Sequence, residues 1–253
     1  MAAAWGGARL SHVHRAAAVG FARSAQAYER GRPSYPDAAV DRLVAALPGT
    51  EVIDLAAGTG KLTRAFVARG LDVTAVEPVA EMRAAIELPA RVVDGTAEAI
   101  PLPDASADAV TVAQAFHWFD GERALAEIRR VLRPGGVLAL IWNGRNMDDE
   151  IHQRISALLE PHRGNAPAHH DGHSRDVIAA SPYFGPLREE TFANEQIVDA
   201  DGLADRVGSV SFVASMPEPG RASLLADVRA LAGVGTVSLR YVVELQLTTR
   251  CGA

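Results

Sequence analysis

Short apolar runs alternate with amphipathic segments from residue 36 onward, and this alternation predicts the elements of the fold. The runs are rich in β-branched residues and predict strands at 51–55, 71–76, 91–93, 109–113 and 137–142. Apolar residues at helical spacing predict helices that begin at Pro36-Asp37, at 61–69, at 79–87 and after Asp120. Strands that alternate with helices in this way indicate βαβ units, and therefore an α/β fold with a parallel sheet.

The pattern changes after the fifth predicted strand, which a tight Arg133-Pro134-Gly135-Gly136 turn precedes. Residues 144–175 are polar and rich in His, Gly and Pro, and they predict a helix, Glu150–Leu159, followed by a mobile loop. Two late strands are predicted at 187–198 and 236–248, and two helices between them at 203–207 and 221–231. A helix pair between two strands suits an antiparallel pair that closes one edge of the sheet.

Length and charge restrict the class of protein. A chain of 253 residues can bury one large α/β core, and the sequence shows no internal repeat and no second domain. A net charge of −6 argues against a nucleic-acid partner, and no apolar run has the roughly 18 residues that a membrane span requires. The single cysteine, Cys251, excludes an internal disulfide. Residues 1–27 are expected to be a flexible leader, and the cytoplasm is the expected location.

The turn after the first predicted strand, residues 54–61, is the strongest candidate for a ligand site. Small residues there let a ligand lie against the backbone at the start of the next helix. A phosphate loop is disfavoured because Leu55 stands where its first glycine belongs and Leu62 stands where its hydroxyl residue should follow. A dinucleotide fingerprint fits Gly58 and Gly60 but fails at Thr63. The third pattern, acid-x-Gly-x-Gly-x-Gly, fits Asp54, Gly58 and Gly60, with Ala56 in place of the first glycine.

Polar residues follow the next predicted strands along the chain. Glu77 ends the second strand, where a carboxylate can accept both ribose hydroxyls of an adenosine. The run Asp94-Gly95-Thr96-Ala97-Glu98 leaves the third strand and could read an adenine edge. The alternative for Glu77 is an acid at the start of a helix, where the helix dipole favours it. The alternative for residues 94–98 is an ordinary turn.

An aromatic run, Gln114-Ala115-Phe116-His117-Trp118-Phe119, follows the fourth strand, where the crevice of an α/β sheet opens. The aromatic side chains are expected to form the wall of a cleft, and His117 is a candidate general base. A purely structural histidine is the alternative. Four further histidines, at 162, 169, 170 and 173, match no metal-ligand spacing, so no metal site is predicted.

Taken in order, these segments resemble the class I S-adenosylmethionine-dependent methyltransferases of the methyltransferase-11 type. The chain is also similar to their trans-aconitate-methyltransferase-like branch in bacteria and fungi. The segments that carry the resemblance are 28–36, 54–61, 77–78, 95–98, 114–118 and 132–136. The resemblance implies a three-layer, Rossmann-like domain over residues 28–253, with a helical insertion in its C-terminal part. Its seven strands would follow the order 3-2-1-4-5-7-6, with strand 7 antiparallel.

The resemblance also implies a role for each matching residue. Asp54, Gly58 and Gly60 would lie at the methionine side of S-adenosylmethionine, and Glu77 at its ribose. The remaining predicted cofactor-binding residues are Tyr28 and Arg32 in an N-terminal lid segment, Ala56, Pro78, Thr96, Ala97 and Glu98, Gln114 at the methyl-bearing end, and Phe116. Ala56 in place of glycine is tolerable if its φ angle stays negative.

The sequence therefore predicts an enzyme that methylates a small molecule at oxygen or nitrogen. A carboxylate acceptor could pair with Arg32 or Arg145, although either could be an ordinary exposed arginine. A degenerate cofactor-binding regulatory protein is the alternative, and a nicotinamide-dependent oxidoreductase is disfavoured by Thr63. The acceptor and the oligomeric state stay open.

Overall fold

A computed structural model of the protein describes residues 29–163 and 173–252. The strands in this part are β1 (Glu51–Leu55), β2 (Asp72–Val76), β3 (Arg91–Val93), β4 (Ala107–Ala113), β5 (Leu132–Arg145), β6 (Arg188–Val198) and β7 (Val237–Thr249). The α-helices are α1 (Asp37–Val44), α2 (Lys61–Val67), α3 (Ala80–Arg83), α4 (Gly121–Val131), α5 (Glu150–Leu159), α6 (His173–Ala180), α7 (Ala200–Gly208), α8 (Ser211–Ala214) and α9 (Gly220–Ala232). The predicted leader, residues 1–27, lies outside the described residues.

The strands form one sheet in the order β3-β2-β1-β4-β5-β7-β6, as predicted. Strands β1 to β5 pair in parallel, whereas β7 is antiparallel to both β5 and β6. The carboxyl ends of β1, β2 and β4 therefore meet at one edge of the sheet, next to the point where the strand order reverses. In open α/β sheets this is the place where ligands bind.

Side chains that alternate along the strands fill two cores, one on each face of the sheet. Ile53 and Leu55 face the core that contains Leu125 and Ile128 of α4. Val52 faces the other core, with the apolar residues of α1 and α2. The two cores give the predicted three layers, because each face of a parallel sheet must be covered by helices.

A third cluster holds the late helices together. It joins α5, α7 and α9 to the first half of β7, with Leu203, Val207 and Val228 buried at its centre. Helix α7 is capped by the Asp199 side chain, which accepts a hydrogen bond from the Gly202 amide at 2.8 Å. This cluster places α7 beside the edge of the sheet where the carboxyl ends of the parallel strands meet.

Several predicted boundaries are wrong. Strand β5 begins at Leu132, because the Pro134–Gly136 segment forms a bulge in its pairing with β4 rather than a turn before it. Gly135 has a φ angle of 78°, which the bulge requires. Helix α3 ends at Arg83, well short of the predicted Glu87. The predicted loop at 160–175 gives way to a helix, α6, from His173 onward.

No helix in the described part of the chain is long and apolar enough to cross a membrane.

Candidate functional site

The turn between β1 and α2 has a left-handed backbone at alternate positions. The φ angles are 57° at Ala56, 59° at Gly58 and 79° at Gly60. The condition under which alanine would be tolerable at position 56, a negative φ angle, is therefore not met, and Ala56 occupies a conformation that favours glycine. The turn needs this geometry to bend back from the sheet into α2, whose first amide groups face the edge of the sheet.

Asp54, at the end of β1, is buried and supports this turn. Its Oδ2 accepts a hydrogen bond from Thr63 Oγ1 at 2.6 Å, and its Oδ1 lies 3.4 Å from Thr111 Oγ1. Burial raises the pKa of Asp54 to about 6, and the hydrogen bonds from the two threonines oppose that rise. Thr63, which stands where the dinucleotide fingerprint has its third glycine, thus holds the start of α2 to β1 through a hydrogen bond that a glycine could not make.

Glu77, at the end of β2, joins the turn from the neighbouring strand. Its carboxylate is 5% exposed and accepts hydrogen bonds from the Gly58 amide at 2.9 Å and the Val79 amide at 2.8 Å. Burial raises the pKa of Glu77 to about 7. Each carboxylate oxygen uses one acceptor site for the backbone, so each retains a second one for a ligand hydroxyl.

The segment after β3 contributes one buried hydroxyl. Thr96 Oγ1 is buried and has no hydrogen-bond partner among the described residues, whereas Ala97 packs into the core. Glu98 accepts a hydrogen bond from the Asp120 amide at 2.9 Å, so it supports the start of α4. Pro78 is half-buried between β2 and α3.

The segment after β4 contributes Gln114 to the cleft, whereas Phe116, Trp118 and Phe119 lie in the core or pack against it, so they do not form the expected cleft wall. Gln114 has a φ angle of 60°, and its buried Nε2 has no hydrogen-bond partner in the described part of the chain. Phe116 is 1% exposed and lies in the core. The His117 ring lies 4.6 Å from the Trp118 ring and 5.7 Å from the Trp142 ring, centroid to centroid. A base role for His117 stays a prediction.

The lid segment, residues 29–36, crosses the carboxyl edge of the sheet and is held from both sides. On one side, Glu29 accepts hydrogen bonds from Thr59 Oγ1 at 2.5 Å and Arg64 at 3.2 Å, and Lys61 donates to the Glu29 carbonyl at 2.6 Å. On the other side, Arg32 donates to the side chain and the carbonyl of Ser209, each at 3.0 Å. The predicted lid partner Tyr28 lies outside the described residues.

Beneath the lid segment is a cleft of about 500 Å³, counting its open mouth. Its walls come from the lid, the β1–α2 turn, the ends of β4 and β5, and α7. The lining residues are Arg32, Pro33, Tyr35, Ala56, Ala57, Gly58, Thr59, Lys61, Leu62, Ala113, Gln114, Asn143 and Arg206. The predicted site residues Arg32, Ala56, Gly58 and Gln114 thus meet in one place, while Phe116 and His117 are not among the lining residues.

Arg206 is the functional candidate that sequence reasoning missed. It lies on α7, about 150 residues after the glycine turn, at the start of a stretch, residues 206–214, whose resemblance to the family is weaker than that of the earlier segments. The sequence gives it no role, and the other signal is its place on the apolar side of an amphipathic helix, between Leu203 and Val207.

The residues at this edge fit an adenosyl cofactor. Glu77 retains two acceptor sites for ribose hydroxyls, and Thr96 Oγ1 and Gln114 Nε2 are buried polar atoms with no described partner. Leaving such atoms unsatisfied costs about 1–3 kcal/mol each, so polar atoms of a ligand are expected beside them. Among the described residues, no group of three His, Cys, Asp or Glu could hold a metal ion.

A seven-stranded sheet in this order, with a glycine turn after β1 and an acid after β2, is the arrangement of class I methyltransferases. The sequence profile of the methyltransferase domain family matches residues 53–140. The chain is 40% identical to an uncharacterised methyltransferase of Mycobacterium bovis, over 88% of this chain and 93% of that protein. The chain therefore belongs to the methyltransferase family, and its fold and family imply the use of S-adenosylmethionine.

Two other comparisons agree with this family. A malonyl-[acyl-carrier protein] O-methyltransferase of Pectobacterium atrosepticum is 38% identical, over 70% of this chain and 71% of that protein. The solved structure of a putative type II methyltransferase from Anaeromyxobacter dehalogenans superposes with a TM-score of 0.62 and 28% identity, and the match covers 87% of this chain and 96% of that chain. The similarity to the trans-aconitate-methyltransferase-like branch stays a prediction.

Proposed function

We propose that this protein is an enzyme that transfers the methyl group of S-adenosylmethionine to a small molecule. The observation that carries the proposal is the convergence of the glycine turn, Glu77, Thr96 and Gln114 at one edge of the sheet, beside an open cleft. Residues 28–253 would form the single domain, with residues 29–36 as its lid.

Bound S-adenosylmethionine would supply a methyl group activated by the positive charge of its sulfur. The chain's own residues would bind and align it: Glu77 would accept hydrogen bonds from ribose hydroxyls, Thr96 would contact the adenine, and Gln114 would face the methyl-bearing end. The lid segment would exclude water, because it already spans the cleft. Alignment of two reactants is worth about 7–11 kcal/mol, so much of the rate acceleration needs no base.

The composition of the cleft supports transfer without a base. Among its described lining residues there is no Asp, Glu or His. An acceptor that is already deprotonated near neutral pH suits such a cleft better than an alcohol does. The name of the Pectobacterium relative indicates methylation at oxygen in that protein. We extend O-methylation to this chain as part of the proposal.

Calorimetry tests the cofactor assignment. The pure protein is expected to bind S-adenosylmethionine and its demethylated product, but not NADH. Glu77→Ala should weaken binding by about 100-fold, because it removes two hydrogen bonds to a charged acceptor, at about 1.5 kcal/mol or more each. Glu77→Gln preserves the shape of the side chain and serves as the variant that stays folded if Glu77→Ala does not. Binding of NADH alone, or unchanged affinity in both variants, would refute the assignment.

A regulatory protein that binds the cofactor without turnover is the second candidate. The left-handed Ala56 favours it, since an alanine there departs from the glycine that this turn prefers. A screen of carboxylic acids, phenols and amines with a labelled methyl donor distinguishes the two. Labelled product from any acceptor dismisses the regulatory candidate, while tight cofactor binding with no product from any class supports it.

A further inference from the structure

Arg206 is a nearly buried cation in the wall of the cleft, with 8% of its surface exposed. Its Nε donates to Tyr241 Oη at 3.0 Å, and its guanidinium carbon lies 5.8 Å from the centre of the Tyr241 ring. Within the described ranges, its two terminal amino groups have no hydrogen-bond partner, and no carboxylate lies within ion-pairing distance of them. Those two groups, side by side, are therefore available to a ligand.

The surroundings of Arg206 are also cationic. Arg145, at the end of β5, donates to Ser156 Oγ at 3.1 Å and forms no ion pair with any described acid. Burial, with the positive charges of Arg206 and Arg163, lowers the pKa of Arg145. Burial, with the charges of Arg206 and Arg145, lowers the pKa of the buried His152 to about 4. The positive charge of Arg206 thus helps to lower the pKa of both Arg145 and His152.

This positive region is unusual in a protein of net charge −6. The exposed arginines of the described chain mostly pair with carboxylates, as Arg69 does with Asp37 and Asp41. Arg32, Lys61 and Arg206 line the cleft, and no described lining residue is acidic. A buried cation without a counter-ion costs folding free energy, so an anionic ligand would explain why it is present.

We propose that Arg206 anchors a carboxylate of the methyl acceptor, which makes the acceptor a carboxylate-bearing small molecule. The proposal rests on the proposed function, because it assigns the second reactant of the same cleft. With Nε bonded to Tyr241, the two terminal amino groups present the parallel donors that match the two oxygens of a carboxylate. The anchor acts by positioning the acceptor and takes no part in bond breaking.

Neighbouring hydrogen bonds hold the anchor in place and join it to the lid segment. Tyr241 Oη donates to Gln196 Oε1 at 3.3 Å, and Gln196 Nε2 donates to the Gly31 carbonyl at 3.1 Å. Ser209 Oγ donates to the Arg206 carbonyl at 2.8 Å and accepts from Arg32 Nε at 3.0 Å. A guanidinium fixed in this way loses little conformational entropy on binding, which increases its affinity for an anion.

S-adenosylmethionine also carries a carboxylate, so the cofactor is a rival occupant of Arg206. The two sources are separated by titrating S-adenosylhomocysteine into the wild type and Arg206→Gln. Equal affinities exclude the cofactor carboxylate as the partner of Arg206. A tenfold or greater loss in the variant would assign it to the cofactor and overturn the proposal.

The acceptor is probed with malonate, succinate, tricarballylate and benzoate, each beside its neutral amide, by calorimetry on the protein with and without S-adenosylhomocysteine. At least one carboxylate should bind ten times or more tightly than its amide. Arg206→Gln should abolish that preference, Arg206→Lys should keep part of it, and Tyr241→Phe should weaken it several-fold. The control is Arg229→Gln, which removes an exposed arginine paired with Asp201 and should change nothing.

A carboxylate preference that survives in Arg206→Gln, or no preference in the wild type, would overturn the proposal. Because the titration is also run without cofactor, its result stands whether or not S-adenosylhomocysteine binds, and failure of cofactor binding refutes only the methyltransferase proposal. Thermal unfolding separates anchoring from a structural role. If Arg206 serves as an anchor, its buried charge has no acid partner among the described residues, so Arg206→Gln should leave the Tm unchanged or raise it. If Arg206 instead stabilises the fold, the same variant should lower the Tm.

Discussion

At the residue scale, the site is built from side chains held in unfavourable states. Ala56 and Gln114 have left-handed φ angles, and both line the cleft. Asp54 and Glu77 are buried carboxylates, and Arg206 is a buried cation. Such states persist only where the surrounding structure holds them, and they concentrate at functional sites. None of the five states can be seen in the sequence. Asp54 and Ala56 were nevertheless identified from the spacing of the turn, Glu77 from its position at the end of a strand, and Gln114 from the family resemblance.

Ala56→Gly tests whether the left-handed alanine is strained. A left-handed alanine costs roughly 1–2 kcal/mol, and a glycine increases the entropy of the unfolded chain by about 0.4–1 kcal/mol. The variant should therefore gain up to about 1 kcal/mol in the free energy of unfolding by urea. Ala65→Gly, inside α2, is the control and should lose about 1 kcal/mol. Equal losses in the two variants would show that Ala56 is unstrained.

At the element scale, strands were predicted better than the short helices. The β-branched pairs Val52-Ile53 of β1 and Val92-Val93 of β3 mark these two strands, because β-branched residues favour strands. Helix α3 ends early because the amides of Ala85 and Ile86 bond three residues back, which tightens the last turn. Helix α6 was missed because its sequence begins among polar, glycine-rich residues, where periodicity gives no signal.

The lid segment, residues 29–36, is held by contacts that its own sequence does not reveal. Glu29 holds the glycine turn, and the carbonyl of Ser34 accepts a hydrogen bond from Asn194 at 2.8 Å. A side chain at Gly31 would place its Cβ 2.4 Å from the Asp205 carbonyl oxygen, so only glycine lets the segment pack against α7. Two of these partners, Asn194 and Asp205, lie far along the chain, and the sequence alone does not reveal them.

Glu29→Gln tests whether this contact controls release of the bound product. The two ion pairs of Glu29, with Lys61 and Arg64, are partly exposed and contribute at most about 1 kcal/mol each, so the free energy of unfolding should fall by no more than about 2 kcal/mol. The dissociation rate of S-adenosylhomocysteine, measured by stopped-flow displacement, should rise roughly three- to tenfold, because interface changes act mainly on dissociation.

The control is Glu190→Gln, which breaks an ion pair of similar exposure between Arg42 and Glu190 at the sheet edge. It should leave the dissociation rate unchanged. Equal rates in Glu29→Gln and the wild type would mean that the lid segment does not limit release.

At the scale of the whole molecule, the order of the seven strands followed from the resemblance, and the parallel sheet followed from the alternation of strands and helices. The cleft did not follow from either, because it forms where α7 and the lid segment meet the sheet. Arg206 and Gly58 lie in the same cleft although about 150 residues separate them. A single sequence gives no measure of such a distance in space, so the side of the cleft that α7 forms could be found only in the structure.

The buried acids at the carboxyl edge also predict how the stability of the whole molecule depends on pH. Burial raises the pKa of Glu77 from 4.5 to about 7 in the folded state, so the folded protein binds the proton more tightly than the unfolded chain does. Stability from this group is therefore fully present below pH 4.5 and is lost as pH rises through 7. Asp54, whose pKa is raised to about 6, adds a change of the same sign.

Glu77→Gln removes the titrating group, so the variant should gain stability relative to the wild type as pH rises from 4.5 to about 7. The gain should be on the order of 3 kcal/mol or less, since one pKa unit is worth about 1.36 kcal/mol, and should level off above pH 7. Urea unfolding at pH 5, 6, 7 and 8 measures it, with Glu81→Gln as the exposed control. A difference between Glu77→Gln and the wild type that stays constant over this range would mean that the Glu77 carboxylate is not destabilised by burial. Glu77, the acid proposed to bind the cofactor ribose, would then not lower the free energy of unfolding.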